Sequence, residues 1–323
     1  MSNQSFSSWS KNGTPWVWIN AGAVSVSLVM VIGLLGLIAV RGLSHFWPAD
    51  IVSINYTEPG QESTVLLGEM VDKEVVSALR LKNTGVDLPE GQTSGERFLL
   101  KVGNRDYFGL DFKWINGPWI SEPSYPENVV AIERREWGHF YGYLKNVSEK
   151  HQVVSSGEQA WQEFQQRLKR SNFLVDEIKS IEKHEIGEIN HALEELRLET
   201  RRLELDGVVE GSSPYQEIEL EKRQWDVRYK ELQGQLADLY SELARDQIVV
   251  TMSDGRDVEI PLAKIVDAFQ PNKMSVGEKL AHYGHEVWKF VSGDPREANT
   301  EGGIFPAIFG TVMMVMIMAI LVT

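Results

Sequence analysis

Two apolar runs, one towards each end of the chain, constrain everything that lies between them. From Trp16 to Val40 no residue is charged, and "WVWINAGAVSVSLVMVIGLLGLIAV" supplies 25 residues where roughly 20 suffice for a helix to cross a bilayer. Trp16 and Trp18 mark one end of this run and Phe46 with Trp47 the other, the positions at which amphipathic rings settle at the two membrane interfaces. The run is longer than the apolar region of a signal peptide, and "AVRGLSHFWP" offers no small-residue cleavage site, so the reading is an anchor that is retained. The second run, Ile304 to Thr323, has 20 residues and spans about 30 Å as a helix, the thickness of the hydrocarbon layer. It carries Gly310, Thr311 and four methionines but no polar face, unlike a helix at the surface of a soluble domain. Two crossings place Pro48 to Gly303 on one side of a membrane and both termini on the other. Lys11 against Arg41 is too small a charge bias to orient the first helix.

Charge is segregated in the same way. All 46 acidic residues lie between Asp50 and Glu301, where they face 30 of the 32 Lys and Arg, so the middle carries −16. A surface this acidic repels nucleic acid, which needs phosphate-neutralising cations, and makes a poor open trap for phosphate or other anions. With no cysteine in the chain, disulfides, thiolate metal sites and cysteine nucleophiles are excluded.

The middle segment reads first as strands. "STVLLGEMV", "ERFLLKVG", "DYFGLDFKWI" and "ENVVAIERREW" are separated by turn-rich stretches, which predicts a small antiparallel β-rich domain over 49–148. A later β-hairpin is expected where "QIVVTM" and "RDVEIPL" flank Asp254-Gly255, a strong turn signal. Between these parts the period becomes helical. Ile218, Trp225, Tyr229, Leu232, Leu236, Leu239 and Leu243 recur at heptad spacing. Trp161, Phe164, Leu168, Val175 and Ile178 do the same, the pattern stutters near Ile181 and Ile186, and it resumes through Ile189, Leu193, Leu196 and Leu203. Gly207 and Gly211 can stop one helix, while Ser213 caps the next and Pro214 begins it. These features predict a coiled-coil helical hairpin over 156–246. Its first helix is about 75 Å long and its second about 48 Å, so the segment from Trp161 to Phe173 must pack on the β domain or on a partner. Residues 247–298, with a β-hairpin and further helices, complete the domain; residues 1–14 are a flexible tail. The fold class expected is a membrane protein, two transmembrane α-helices (15–41 and 304–323) flanking an α+β domain that carries the hairpin.

No catalytic or metal-binding constellation stands out. His184 and His191 lie seven apart, and His282 and His285 three apart; two imidazoles without thiolates or a nearby ligand cluster make a weak zinc signal. Glu194-Glu195 reads as a solvated coiled-coil flank, since no apolar pocket is implied to raise a carboxyl pKa. Asp254 and Asp257 lack the spacing of a calcium loop. "NVS" at Asn146 fits a glycosylation acceptor only as a pattern short enough to recur by chance. Phosphate-binding glycine loops and nucleophile elbows are absent from the sequence. The expectation is a protein with no catalytic, cofactor or metal residues of its own.

The two ends together resemble a known family. "TPWVWINAGAVSVSLVMVIGLLGLIAVRGLSHFWP" and "DPREANTEGGIFPAIFGTVMM" look like the PstA-type permease subunit of phosphate ABC transporters. In that family a first transmembrane helix leads through a loop ending in an Asn-Thr-Glu-Gly-Gly-like segment, here Asn299 to Gly303, into the second. Residues 49 to 298 look like the large insertion of a long-loop subgroup. The resemblance implies an inner-membrane location with a cytoplasmic amino terminus, which makes residues 42–303 periplasmic. It also implies a PstC-like second permease subunit, ATPase subunits and a periplasmic phosphate-binding protein as partners, with ATP hydrolysis left to those subunits. Family members continue into further helices and the ATPase-docking loop, so the chain is expected to be a truncated permease, and no phosphate-pathway residue can be assigned in it. The alternative is a polysaccharide chain-length regulator, which likewise sets two end helices around a periplasmic α/β domain with a long helix.

Overall fold

The computed structural model describes residues 14–83, 85, 86, 88, 89, 91–293 and 303–322. Most of the Asn299 to Gly303 segment lies outside the described residues. Contacts divide the chain into two units, one of residues 1–48, 275–294 and 303–323 and the other of residues 49–274 and 295–302.

In the first unit, α1 (Thr14–Ser44) is apolar all round, and 29 of its residues form a stretch none of whose most apolar window is buried in protein. After the second unit come α7 (Val276–Ser292) and α8 (Phe305–Val322), the latter again apolar and uncovered. These are two helices long and apolar enough to span a membrane, flanking a mixed helix and sheet domain.

The second unit contains two antiparallel sheets. Five strands form the first: β1 (Ile51–Tyr56), β2 (Thr64–Ser77), β3 (Ser94–Lys101), β4 (Phe112–Asn116) and β5 (Ile120–Ser124), in the order β4-β3-β2-β1-β5. Two short helices, α2 (Ala78–Asn83) and α3 (Arg105–Phe108), interrupt the succession. The second sheet draws on β6 (Val129–Arg134), β7 (His139–Glu149), β8 (Gln152–Ser156), β9 (Asp246–Thr251), β10 (Asp257–Pro261) and β11 (Ile265–Phe269), in the order β10-β9-β7-β6-β11, with β8 also on β7. The strand-rich stretch 49–148 is therefore divided between two sheets. Its division point is β6, in which every residue is buried; a strand covered on both faces belongs at a sheet interior, and β6 lies between β7 and β11. The stretch "DYFGLDFKWI" forms a strand only from Phe112 on, because Arg105 to Phe108 coils between left-handed Asn104 and Gly109.

Ile51 and Leu67 of the first sheet pack on Val129, Ala131 and Tyr141 of the second. The Tyr141 hydroxyl adds a 2.7 Å bond to Glu69. Asn272 ties the chain's exit from the domain to its entrance. Its Oδ1 accepts from the Ile51 amide at 2.8 Å, and its Nδ2 donates to the carbonyls of Ile51 and Pro126 at 2.8 and 2.9 Å.

The remaining helices are α4 (Ala160–Ser180), α5 (Ile186–Leu205) and α6 (Ser213–Leu243). A π turn, Ile181–Glu185, joins α4 to α5 into one continuous rod, and α6 returns along it. Gly207 and Gly211 have φ of +69° and +84°, the left-handed backbone that ends a helix at little cost in glycine. Ser212 rather than Ser213 occupies the cap position of α6.

Candidate functional site

The most developed polar constellation lies where the helical hairpin joins the second sheet. Ala160, Phe164 and Leu168, spaced by four on α4, enter the core formed by Val130, Ile132, Val147 and Ile248. Phe164 and Leu168 belong to the stretch Trp161 to Phe173, expected to need a covering surface, and the sheet covers them; Phe173 in the same stretch stays 67% exposed. Side-chain amides extend the seam to the edge strand β11, where Gln165 donates to the Ala268 carbonyl at 2.7 Å and Asn172 to the Val266 carbonyl at 2.8 Å.

Beside this apolar root lies a knot of charges. Arg167 reaches Glu163 at 2.6 Å, Glu149 at 2.8 Å and Asp246 at 2.6 Å. Asp246 also pairs with Arg245 at 3.0 Å, and Arg170 bonds Glu242 at 2.6 Å. Burial of Asp246 would raise its pKa, but hydrogen bonds from Arg245 and Arg167 and their positive charges overcome that and hold the carboxyl below the usual range. The Glu149 carboxyl is lowered as well, chiefly by its bond from Arg167. Desolvation of Arg167 is outweighed by its three carboxylate partners, so its pKa is raised. The knot joins α4, α6, β7 and β9 through ionised groups, and its chemistry is cohesion between hairpin and sheet.

On the same unit, a recess of about 780 Å³ opens beside the root, lined by Glu127, Asn128, Glu158, Trp161, Gln162 and Lys273 among others. Trp161 forms one wall and meets Phe164 edge to face at 5.7 Å. Carboxylates, amides and one ammonium around an indole can bind a polar ligand, but they supply neither a nucleophile paired with a base nor an oxyanion cradle.

Along the hairpin, Ile181, Ile189 and Leu232 form a buried layer with Trp225 and Leu236 against it. Leu174, Val175, Ile178 and Leu243 form the next, towards the sheet. Arg228 with Glu185 at 2.6 Å and the Tyr240 hydroxyl with Glu182 at 2.7 Å link the two helices at the surface. The opposite face of α6 carries Leu220 and Val227, seven apart and 61% and 58% exposed, which border a shallow groove with Arg223 and Arg228. Leu205 and Val209, at the far end, are more exposed still.

The residues singled out in the sequence are dispersed. His184 is exposed on the π turn, and His191 is exposed on α5 with Glu195 3.5 Å away. Glu194 pairs with Arg197 at 2.7 Å, which lowers its pKa, as expected of a solvated helix flank. His282 is half-buried and His285 exposed on α7. Asp254 accepts from the Arg256 amide at 3.0 Å and from its guanidinium at 2.7 Å, a turn-closing role. Asp257 is held by Thr251 at 2.7 Å and by Lys145. Asn146 lies within β7, hydrogen-bonded on both sides by β8 and β9, and its buried Oδ1 has no protein partner; that is no place for a glycan. The knot was missed in the sequence because Arg167 and Asp246 lie 79 residues apart and carry no local pattern.

Set against protein families, curated proteins and solved structures, the chain matches none.

Proposed function

We propose that the chain is the membrane-anchored amino-terminal part of a permease subunit of an ATP-driven phosphate import system, and that its helical hairpin is a docking or regulatory arm. The observation that carries this reading is the pair of uncovered apolar helices bracketing one acidic domain. An apolar helix with no protein over any face calls for lipid around it. The end segments that look like the PstA-type permease supply the transport class, an inner-membrane location and a periplasmic position for residues 42–303. The partners are then a PstC-like permease subunit, ATPase subunits and a periplasmic phosphate-binding protein. Net charge makes the inserted domain an unfavourable site for the anion itself, which leaves a protein partner as its target, and the exposed stripe Leu220 and Val227 lies on the hairpin face turned away from its own seam.

The test is removal of Leu193 to Leu232 from the full-length gene. Phosphate uptake, or its dependence on the binding protein, should fall while the ATPase subunits still co-purify. Unchanged uptake would sink the docking role. Recovery of the intact protein as a large homo-oligomer with no ATPase would favour the chain-length regulator instead, the second arrangement that sets two end helices about an α/β domain.

A further inference from the structure

Helix α7 separates its residues cleanly into two faces. At about 100° per residue, Val276, Leu280, Gly284, Trp288 and Val291 fall within one arc of about 120°, and Glu278, Lys279, His282, His285, Glu286 and Lys289 fall within the opposite one. Val276, Leu280, Trp288 and Val291 are 77%, 61%, 69% and 42% exposed. So much bare apolar surface on one short helix calls for a covering. The start of the helix is fixed by a capping box, in which Ser275 accepts from the Glu278 amide and the Glu278 carboxylate accepts from the Ser275 amide.

What covers that arc follows from its neighbours in the same unit. Phe46, just past the end of α1, meets Phe290 with ring centres 4.9 Å apart, and Trp47 meets Tyr283 at 6.0 Å. The Ile304 amide, directly before α8, donates to the Phe290 carbonyl at 2.8 Å. Both apolar helices therefore end against α7, on the same side. We infer that α7 is an interfacial helix, lying along the bilayer surface with the Leu280–Val291 arc sunk among the headgroups and upper acyl chains. The inference rests on the membrane reading of α1 and α8. With 17 residues and charges along its whole length, α7 is unsuited to crossing, whereas a continuous apolar arc backed by a charged one is the pattern of a helix held in the interface. Trp47, Tyr283 and Trp288 are also the residue types that settle at that depth.

Because the chain has no cysteine, a single nitroxide can be placed at will. The full chain is reconstituted into phosphatidylcholine/phosphatidylglycerol vesicles as four variants, Leu280→Cys, Val291→Cys, His285→Cys and Val29→Cys, after circular dichroism confirms wild-type helicity. Collision with oxygen relative to a water-soluble nickel chelate should be several-fold higher at 280 and 291 than at 285, and highest at 29. If 280 and 291 match 285 while 29 remains lipid-like, the interfacial helix is refuted and the spanning helices stand. Exclusion of both reagents at 280 and 291 would show protein over the arc and refute it too. A nickel-accessible 29 would remove the membrane reading and the inference with it.

Discussion

Asp246 shows how one carboxylate can fasten an arm to a domain. Only 4% exposed, it would be costly as a lone charge, and removal of one partner from such a buried network costs about 3 kcal/mol. Asp246→Asn should lower the unfolding free energy at pH 7 by about that amount, measured by denaturant titration in detergent; an unchanged midpoint would show the knot to be ornamental. The pH dependence has a definite sign. A carboxyl whose folded pKa lies below its unfolded value, about 3.9 for Asp, stabilises the fold above that value, and the contribution is lost as pH falls through the folded pKa. Burial opposes this for Asp246, but Arg245 and Arg167 prevail, so the native protein should lose stability on acidification below about pH 4. The Asn variant should lose less over the same interval, and equal acid sensitivity of the two would contradict the assignment.

Among the helices, the π turn gives physical meaning to an irregularity visible in the sequence. Ile178, Ile181, Ile186 and Ile189 are separated by three, five and three residues. A heptad seam wants three, four and three, and the π turn at Ile181–Glu185 absorbs the extra residue. Deleting exposed His184 restores the regular interval, so that variant should keep its helicity and lie within about 1 kcal/mol of wild type, on the scale of surface changes. Deleting Gln235 from α6 should rotate Leu236 and Leu239 about 100° off the seam and cost about 3 kcal/mol or more, the scale of emptied core positions. Equal damage from the two deletions, read by thermal melts of far-ultraviolet dichroism, would show that the π turn is not a simple insertion. Helical periodicity was legible because Ile181, Ile189 and Leu232 make their burial partners within one hairpin. Sheet membership was not, because β6 and β11 pair across the 130 residues between Arg134 and Ile265, with a shift in register, and no local pattern encodes such a choice. β1, four of whose six residues are buried, is absent from the predicted strands although it pairs with the neighbouring β2. The recess beside Trp161 was equally hidden, since Glu127 and Lys273, which both line it, lie 146 residues apart in the chain.

For the molecule as a whole, Asn272 and the two apolar helices express one constraint. On the proposed membrane reading, a domain strung between two spanning helices needs its entrance and exit close together, and the Asn272 amide supplies this with two hydrogen bonds to the first residue of β1 and one to the Pro126 carbonyl. In the other unit, Phe46 and Ile304 both meet Phe290, so the ends of α1 and α8 that lead to the domain are brought to the same short helix. On the same proposed membrane reading, two crossings put everything between Pro48 and Gly303 in one compartment and the residues before α1 in the other. Single cysteines in this cysteine-free chain read that arrangement directly. In intact spheroplasts an impermeant maleimide should label Gln61→Cys and Val209→Cys, both at exposed positions, while Ser8→Cys should react only after permeabilisation. Equal labelling of Ser8 and Gln61 before permeabilisation would leave at most a loop in the membrane where α1 should cross, and the close pairing of entrance and exit at Asn272 would then serve the domain alone rather than its attachment.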